Sequence, residues 1–522
     1  MIKKIRFALL LIPVTGLLLA YGEQPGIPDM NLEHRDEKII VTVDPAKEQQ
    51  VIHSFGASDC WTAKFIGRWQ DVQKKERIAD LLFSMDTLKD GSPKGIGLSL
   101  WRFNIGGGSF EQGDSSHIKD EWRREECFLN ADGSYSWDKQ RGQQWFLQAA
   151  RKRGVRYTLG FSQTPPVFMT QNGKAYNASG TTRMNIREGM MDAYAGFLAN
   201  VTNHFKFDFL SPVNEPQWKW GTANGASQEG TQAVNTEIAD LVRAIAPKIK
   251  GKHTKIVVGE AGQWNYLFGK NEQGCGDQIN QFFTPAAPAY IGGLPAVAPV
   301  ISGHSYFTTC PDTVAVRIRQ QVQTAAARVA SLQVWQTEFG ILGNICNQYN
   351  GAPRNTGIEY GLYVADVMHQ DLTVANVSSW QWWLAMAPYD YSDALVYINA
   401  PSGKIDVPGS KADGVVTDSK QLWVMGNFAR FVRPGMKRIA ASLSGSADGV
   451  MVSAYKDTKK MVLVLINPQH QAKNITLNGF NDQLVDVYTT DQTRNLKRSV
   501  ARAGNMQLPA RSVVTVTGTY RR

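Results

Sequence analysis

The sequence predicts an α/β protein, a (β/α)8 TIM barrel with an attached β-sandwich side domain. Three observations carry that expectation. From about residue 50 to 430, short apolar strands alternate with helical stretches, the pattern of βα units around a parallel sheet. Eight strand candidates lie in that region, ending near Gly56, Asn104, Ser162, Asn214, Glu260, Ser305, Glu338 and Trp382, the number a closed barrel needs. After about residue 435 the helical periodicity stops, and short strands follow one another at turn-rich intervals.

The elements can be justified in chain order. Lys3, Lys4 and Arg6 precede an apolar run over 7–20, too short and too early for a spanning helix; 1–22 therefore reads as a secretory signal peptide. A lipid-anchoring signal would need cysteine where Tyr21 stands, so a secreted or periplasmic protein is expected. The run 39–43 is a strand that precedes the first barrel strand, and a segment 38–50 is expected to join the β domain. The barrel is expected over 51–433, with helices over 72–85, 188–204, 231–249, 315–330 and 358–372. Val234, Ile238, Leu241, Val242 and Ile245 show the 3-4 spacing of a helix face turned to a core. The β-sandwich is expected over 434–520, from strands at 450–455, 461–466 and 512–516 and a turn at Asn478-Gly479.

Composition limits the function classes. The 522 residues exceed one ordinary core, and 43% hydrophobic with 20% charged residues describes a soluble globular protein. The formal charge of +10 falls to +7 when the first 20 residues are removed, and the basic residues are interleaved with acids. The local cluster Arg151-Lys152-Arg153 sits at an expected helix end, where cations favour the dipole. No nucleic-acid partner and no membrane span are expected, and a monomer is. Five cysteines, Cys60, Cys127, Cys275, Cys310 and Cys346, show no CxxC spacing and no histidine cluster, so no metal and no cofactor are expected. One or two disulfides are open to them, with at least one thiol left over. Gly106-Gly107-Gly108 lacks the Lys-Ser/Thr of a phosphate loop.

Two segments carry chemistry. Phe209-Leu210-Ser211-Pro212-Val213-Asn214-Glu215-Pro216 is an apolar strand ending in Asn-Glu-Pro; the proline is expected to hold Glu215 extended. Val334-Trp335-Gln336-Thr337-Glu338-Phe339-Gly340 again ends an apolar strand in glutamate. The two glutamates are 123 residues apart, room for three further βα units. That spacing puts them at the carboxyl ends of strands four and seven, facing each other across the barrel mouth. Opposed carboxyls suit glycosidic cleavage, in which one donates a proton to the leaving oxygen and the other attacks the anomeric carbon. Aromatic residues are abundant, with 14 Trp, 17 Tyr and 22 Phe, and their faces suit the apolar faces of sugar rings as well as core packing.

These motifs resemble the clan A glycosidases and, within them, family 30 of the glycoside hydrolases. The matching segments are His53-Ser54-Phe55-Gly56-Ala57-Ser58, Trp101-Arg102-Phe103-Asn104-Ile105-Gly106-Gly107, Ser162-Gln163-Thr164-Pro165-Pro166, Asn214-Glu215-Pro216 and Glu338, over roughly 38–520. The resemblance implies a double-displacement retaining mechanism with Glu215 as acid/base and Glu338 as nucleophile. It implies that Asn214 binds the sugar 2-hydroxyl, Tyr306 orients the nucleophile, and Arg102 keeps Glu338 ionised. Asp59 and Trp61 stand where relatives bind the sugar nearest the cleavage point. Trp380 and Trp382 end strand eight, where a tryptophan floors that subsite, and only one of the two is expected to point inward. Trp218, Trp220 and Trp264 are candidates to stack on neighbouring sugars, while a structural or rim role is expected for Glu260.

The stretch Arg-Phe-Asn-Ile-Gly-Gly-Gly is most similar to the endo-β-1,6-galactanase group, so β-1,6-galactan is the favoured substrate. Glucuronoxylanase, β-1,6-glucanase and exo-β-glycosidase activities of the same family are the alternatives. A non-catalytic carbohydrate-binding protein is the alternative of another class.

Overall fold

The computed structural model describes residues 38–520, apart from 179, 223, 252, 253 and 448. The segment read as a signal peptide lies outside them. Eight parallel strands form the barrel: Ser54–Ser58, Leu100–Ile105, Tyr157–Ser162, Phe209–Ser211, Lys255–Ala261, Val297–His304, Gln333–Glu338 and Val377–Ala387. They are numbered one to eight below. Strand eight closes the ring, pairing with strand seven at Val377 opposite Val334 and with strand one at Trp380 opposite Phe55. Its carboxyl half continues past the ring and adds Ala394–Asn399 in parallel, which in turn carries Val415–Asp418 antiparallel.

Period-two alternation divides each barrel strand between two cores. Leu100, Leu159, Phe161, Val257, Val300 and Trp335 fill the barrel interior, while Trp101, Phe103, Leu210, Val258 and Ile301 belong to the larger core under the helices. The main helices of that layer are Val72–Phe83, Arg141–Lys152, Met191–Phe205, Asn235–Ile245, Asp312–Ala326, Ile358–Thr373 and Lys420–Ala429. Several are shorter than the hydrophobic pattern suggests, for local reasons. Gly189 takes φ 79, outside the helical region, so the helix expected from 188 starts at Met191. Pro247 lacks an N–H, so the helix expected to 249 ends at Ile245 and runs on as a 3-10 turn. Arg141–Lys152, which buries Phe146, Leu147, Ala149 and Ala150, ends in the Arg151-Lys152-Arg153 cluster, where a helix end was expected.

The second sheet has nine strands and is mostly antiparallel. Ile39–Val51 lies within it, antiparallel to Lys437–Ser444 and parallel to Lys473–Asn478. Lys460–Asn467 is almost entirely buried because both of its faces are covered. Met461, Leu463 and Leu465 point into this sheet's own core, and Val462, Val464 and Ile466 enter the core shared with the barrel helices. Among the described residues no helix is long and apolar enough to cross a membrane.

Candidate active site

The carboxyl ends of the barrel strands bring five ionisable groups together. Glu338 is the last residue of strand seven, His304 the last of strand six, Glu260 lies near the end of strand five, Arg102 on strand two, and Glu215 just beyond strand four. None is more than 6% exposed. Arg102 donates through Nη1 to Glu338 Oε2 at 2.6 Å, and through Nη2 to Asn214 Oδ1 and Glu260 Oε2, both at 2.8 Å. Its guanidinium stacks 3.7 Å above the Phe161 ring centroid. Tyr306 donates its hydroxyl to Glu338 Oε1 at 3.2 Å. Both oxygens of Glu338 are therefore held, one by a cation and one by a phenol.

His304 links the three carboxylates. Its Nδ1 lies 2.7 Å from Glu215 Oε1 and 3.8 Å from Glu338 Oε1, and its Nε2 lies 3.0 Å from Glu260 Oε2. Burial alone would lower its pKa, but Glu338, Glu215 and Glu260 raise it to about 10, so the ring is an imidazolium donating through both nitrogens. Burial pushes Glu260 up, yet Arg102 and His304 hold it down at about 2, and Thr337 Oγ1 adds a hydrogen bond at 3.1 Å. Glu338 is raised above the ordinary 4.5: burial and the nearby Glu215 outweigh His304 and Arg102. Two cations thus face three carboxylates, and the cluster is neutral when one carboxylate carries a proton.

The backbone at Glu215 departs from expectation. The residue before Pro216 was expected to be extended, but Glu215 takes φ 44, in the left-handed region. Its N–H donates to the carbonyl of Glu260 at 2.9 Å, and that bond turns the chain back across the mouth. Glu260 itself has φ 42. Each such conformation costs about 1–2 kcal/mol for a residue with a Cβ, a cost borne here where a carboxyl must be aimed.

The aromatic candidates separate into buried and rim groups. Trp61 is 2% exposed and meets Trp383 edge-on at 5.2 Å, in the barrel-interior cluster. Asp59 accepts the Asn104 N–H at 2.9 Å; burial raises its pKa well above the usual range, and its Oδ2 has no partner. Trp218 is half-buried at the rim, edge-on to Tyr266 and to Phe307. Trp220, also half-buried, donates Nε1–H to the carbonyl of Glu215 at 3.2 Å.

Two expectations need correction. Trp264 is 0% exposed and donates Nε1–H to Ser305 Oγ at 2.9 Å, so it packs beneath the rim with no face for a sugar. Trp380 and Trp382 do not face opposite ways: residues two apart on a strand share a face. Both are fully buried in the core under the helices, Trp380 bonded to Asp371 Oδ2 and Trp382 to the carbonyl of Asp393. The strand-eight tryptophan in the barrel-interior cluster is the next residue, Trp383. Glu260, for which a structural or rim role was expected, is fully buried and paired with Arg102 and His304 at the centre of the charged cluster. The sequence signal available for Glu260 and His304 was their position at strand ends.

Of the five cysteines, Cys310 and Cys346 form a disulfide that ties the loop after strand six to the loop after strand seven; Cys60, Cys127 and Cys275 are free and buried.

A closed parallel barrel with paired carboxyls at the carboxyl ends of strands four and seven defines the class of barrel glycoside hydrolases. The model of O-glycosyl hydrolase family 30 matches residues 38–397, and the chain belongs to that family. It is 24% identical over 247 residues to an endo-β-1,6-galactanase of Hypocrea rufa, covering 43% of this chain and 50% of that one. It is 28% identical over 193 residues to the glucuronoxylanase XynC of Bacillus subtilis strain 168, covering 36% of this chain and 39% of that one. The chain thus spans about half the length, or less, of these two curated relatives. A solved conserved exported protein from Bacteroides fragilis is 33% identical, with a TM-score of 0.86 over 92% of this chain and 100% of that one.

Proposed function

We propose that the chain is a secreted retaining β-glycoside hydrolase acting on β-1,6-galactan of arabinogalactan side chains, with Glu215 as acid/base and Glu338 as nucleophile. One observation carries the mechanism: carboxyl oxygens of Glu215 and Glu338 lie within 4.8 Å of each other. Retaining enzymes hold the pair roughly 5–5.5 Å apart and inverting ones roughly 6.5–9.5 Å, to fit a water.

Glu215 gives its proton to the glycosidic oxygen as the Glu338 carboxylate attacks the anomeric carbon. The C–O bond breaks, the leaving sugar takes the proton, and a glycosyl ester forms on Glu338. Glu215, now a carboxylate, takes a proton from water, whose oxygen attacks the same carbon and frees Glu338. Arg102 and Tyr306 hold the nucleophile's two oxygens in line. Arg102 occupies Asn214 Oδ1, which leaves Nδ2–H for the sugar 2-hydroxyl. Asp59, Trp61 and Trp383 bound the glycone side.

Support for the galactan comes from the Hypocrea rufa relative, and support for export from the basic-then-apolar segment 1–22 and the Bacteroides fragilis neighbour. A second reading, glucuronoxylan, has the XynC similarity and a rim cation in its favour: Arg123 sits 4.9 Å over the Trp61 ring. Digestion of β-1,6-galactan and glucuronoxylan side by side separates the two. NMR of the first product from a β-galactoside is expected to show the β-anomer; an α-anomer would sink the retaining mechanism. Glu338→Gln should lower turnover by at least about 1000-fold while glycan binding survives. A native protein that binds these glycans but releases no reducing ends would be a carbohydrate-binding protein instead.

A further inference from the structure

Phe307 is the one aromatic among the large apolar side chains that the described residues leave exposed; it is 68% exposed, with backbone φ 59. It follows Tyr306, the phenol bonded to Glu338, on the loop after strand six. Its ring stands edge-on to Trp218, with centroids 5.8 Å apart at 87°. Trp218 is on the other side of the contact, three residues after Glu215, with its N–H bonded to the Glu215 carbonyl at 3.2 Å. The Trp218 indole lies against Gly262, where a Cβ would come within 2.1 Å of Nε1; only a bare backbone admits the ring there. On the other flank of Phe307, a cavity of about 250 Å³ runs between the loops after strands six and seven, bordered by Phe339 and the Cys310–Cys346 disulfide. These aromatics touch both catalytic glutamates through chain neighbours, yet neither Phe307 nor Trp218 is buried as core residues are.

The mouth therefore has two unlike sides. Toward strands eight and one it is closed by buried Trp61 and Trp383. Toward strands four to six it is open and aromatic. The proton donor belongs to the open side, so the departing sugar must lie there. We propose that Phe307 and Trp218 form the binding face for the leaving-group sugar, on loops fixed by the carbonyl bond at Glu215 and by the Cys310–Cys346 disulfide. This rests on the carboxylate roles proposed above. An edge-to-face pair offers a saccharide one ring face and one ring edge, and covering an exposed phenyl with the apolar face of a sugar removes both surfaces from water.

The test compares two substrates that differ only in the leaving group. β-1,6-Galactotetraose puts a sugar on the proposed face, whereas β-1,6-galactobiosyl fluoride leaves it empty. Phe307→Ala is expected to lower kcat/KM on the tetraose about 10- to 100-fold, by loss of aromatic burial, and to leave the fluoride within about twofold. With the fluoride as donor and galactobiose as acceptor, transfer to the acceptor should fall while hydrolysis persists. Equal losses on both substrates, or undiminished transfer, would overturn the proposal. Failure of the unaltered protein to turn over either substrate would count against the galactan reading of the site instead. The face is then read by calorimetry in the Glu338→Gln background, where adding Phe307→Ala must weaken tetraose binding about tenfold. Unchanged affinity there would also overturn it.

Discussion

In the proposed mechanism Glu338 attacks as a carboxylate, yet burial and its neighbour Glu215 favour the protonated form. Arg102 and His304 oppose that without cancelling it. Below its pKa the proposed nucleophile is protonated and inert, so the attack rate is expected to fall as pH drops through a value above 4.5. A 2-deoxy-2-fluoro-β-galactosyl fluoride isolates this step, because fluoride needs little protonation to leave. Its inactivation rate is expected to show an acid limb above pH 4.5, with the added mass on the Glu338 peptide. A rate that stays flat down to pH 4 would contradict the arrangement. Glu260 works in the opposite direction. Its carboxyl is held from 4.5 down to about 2, so it contributes stability that is present above pH 4.5 and is lost as pH falls toward 2. His304, raised from 6.5 to about 10, contributes stability present below pH 6.5 and lost as pH rises toward 10. Glu260→Gln leaves two buried cations short of one counter-charge, and about 3–5 kcal/mol of stability should go with it in urea unfolding at pH 7. The variant should also lose less between pH 4.5 and 2 than the native chain does. A loss under about 1 kcal/mol would mean that Glu260 is not the anchor of this cluster.

At the scale of elements, the loops between strands carry what the strands cannot. The Cys310–Cys346 bridge closes a sequence separation of 36 residues, which includes helix Asp312–Ala326 and strand seven. Chain-entropy arguments give such a loop up to about 4 kcal/mol, and native bridges typically deliver about 2–4. Cys346→Ser is therefore expected to lower the unfolding free energy by about 2–4 kcal/mol in denaturant titration. A change below about 0.5 would show the loops to be held by packing alone. The elements also show how far the chain could be read before folding. Apolar runs ending in Gly56, Asn104, Ser162 and Glu338 betray barrel strands because parallel strands covered on both faces must be continuously apolar. Glu215 and Glu338 are legible because both end such runs. Trp383 was missed because its side depends on one residue of register, which a run of three tryptophans in four residues does not declare. Glu260 was underrated because its importance comes from Arg102 and His304, each brought to it from another strand. Phe307 carries no pattern at all, since exposure of a single aromatic is a property of the folded rim.

The whole molecule is organised so that neither sheet is complete alone. Tyr455, Val462, Val464, Ile466 and Val513 come from the nine-stranded sheet, yet they sit in the core under the barrel helices. Helix Lys420–Ala429 has every residue from Gln421 to Ala429 buried, as a helix covered all round must. Asn427 on that helix donates through Nδ2 to Thr515 Oγ1 at 3.0 Å and to the carbonyl of Tyr488 at 3.2 Å, so its amide nitrogen is bonded across the junction. Ile39–Val51 enters the same sheet from the other end of the described chain, between strands Lys437–Ser444 and Lys473–Asn478. Burying one large apolar side chain contributes about 1.5–3 kcal/mol, so the five shared residues together match the roughly 5–15 kcal/mol net stability of a typical protein. A chain spanning 51–433 would expose the partners of all five and leave Asn427 unpaired. It is expected to aggregate on expression, whereas the intact chain should melt in one calorimetric transition that coincides with loss of tertiary circular dichroism. Two resolved transitions, or a soluble 51–433 chain with native activity, would show that the barrel's core closes without the second sheet and that the shared residues contribute far less than their burial implies.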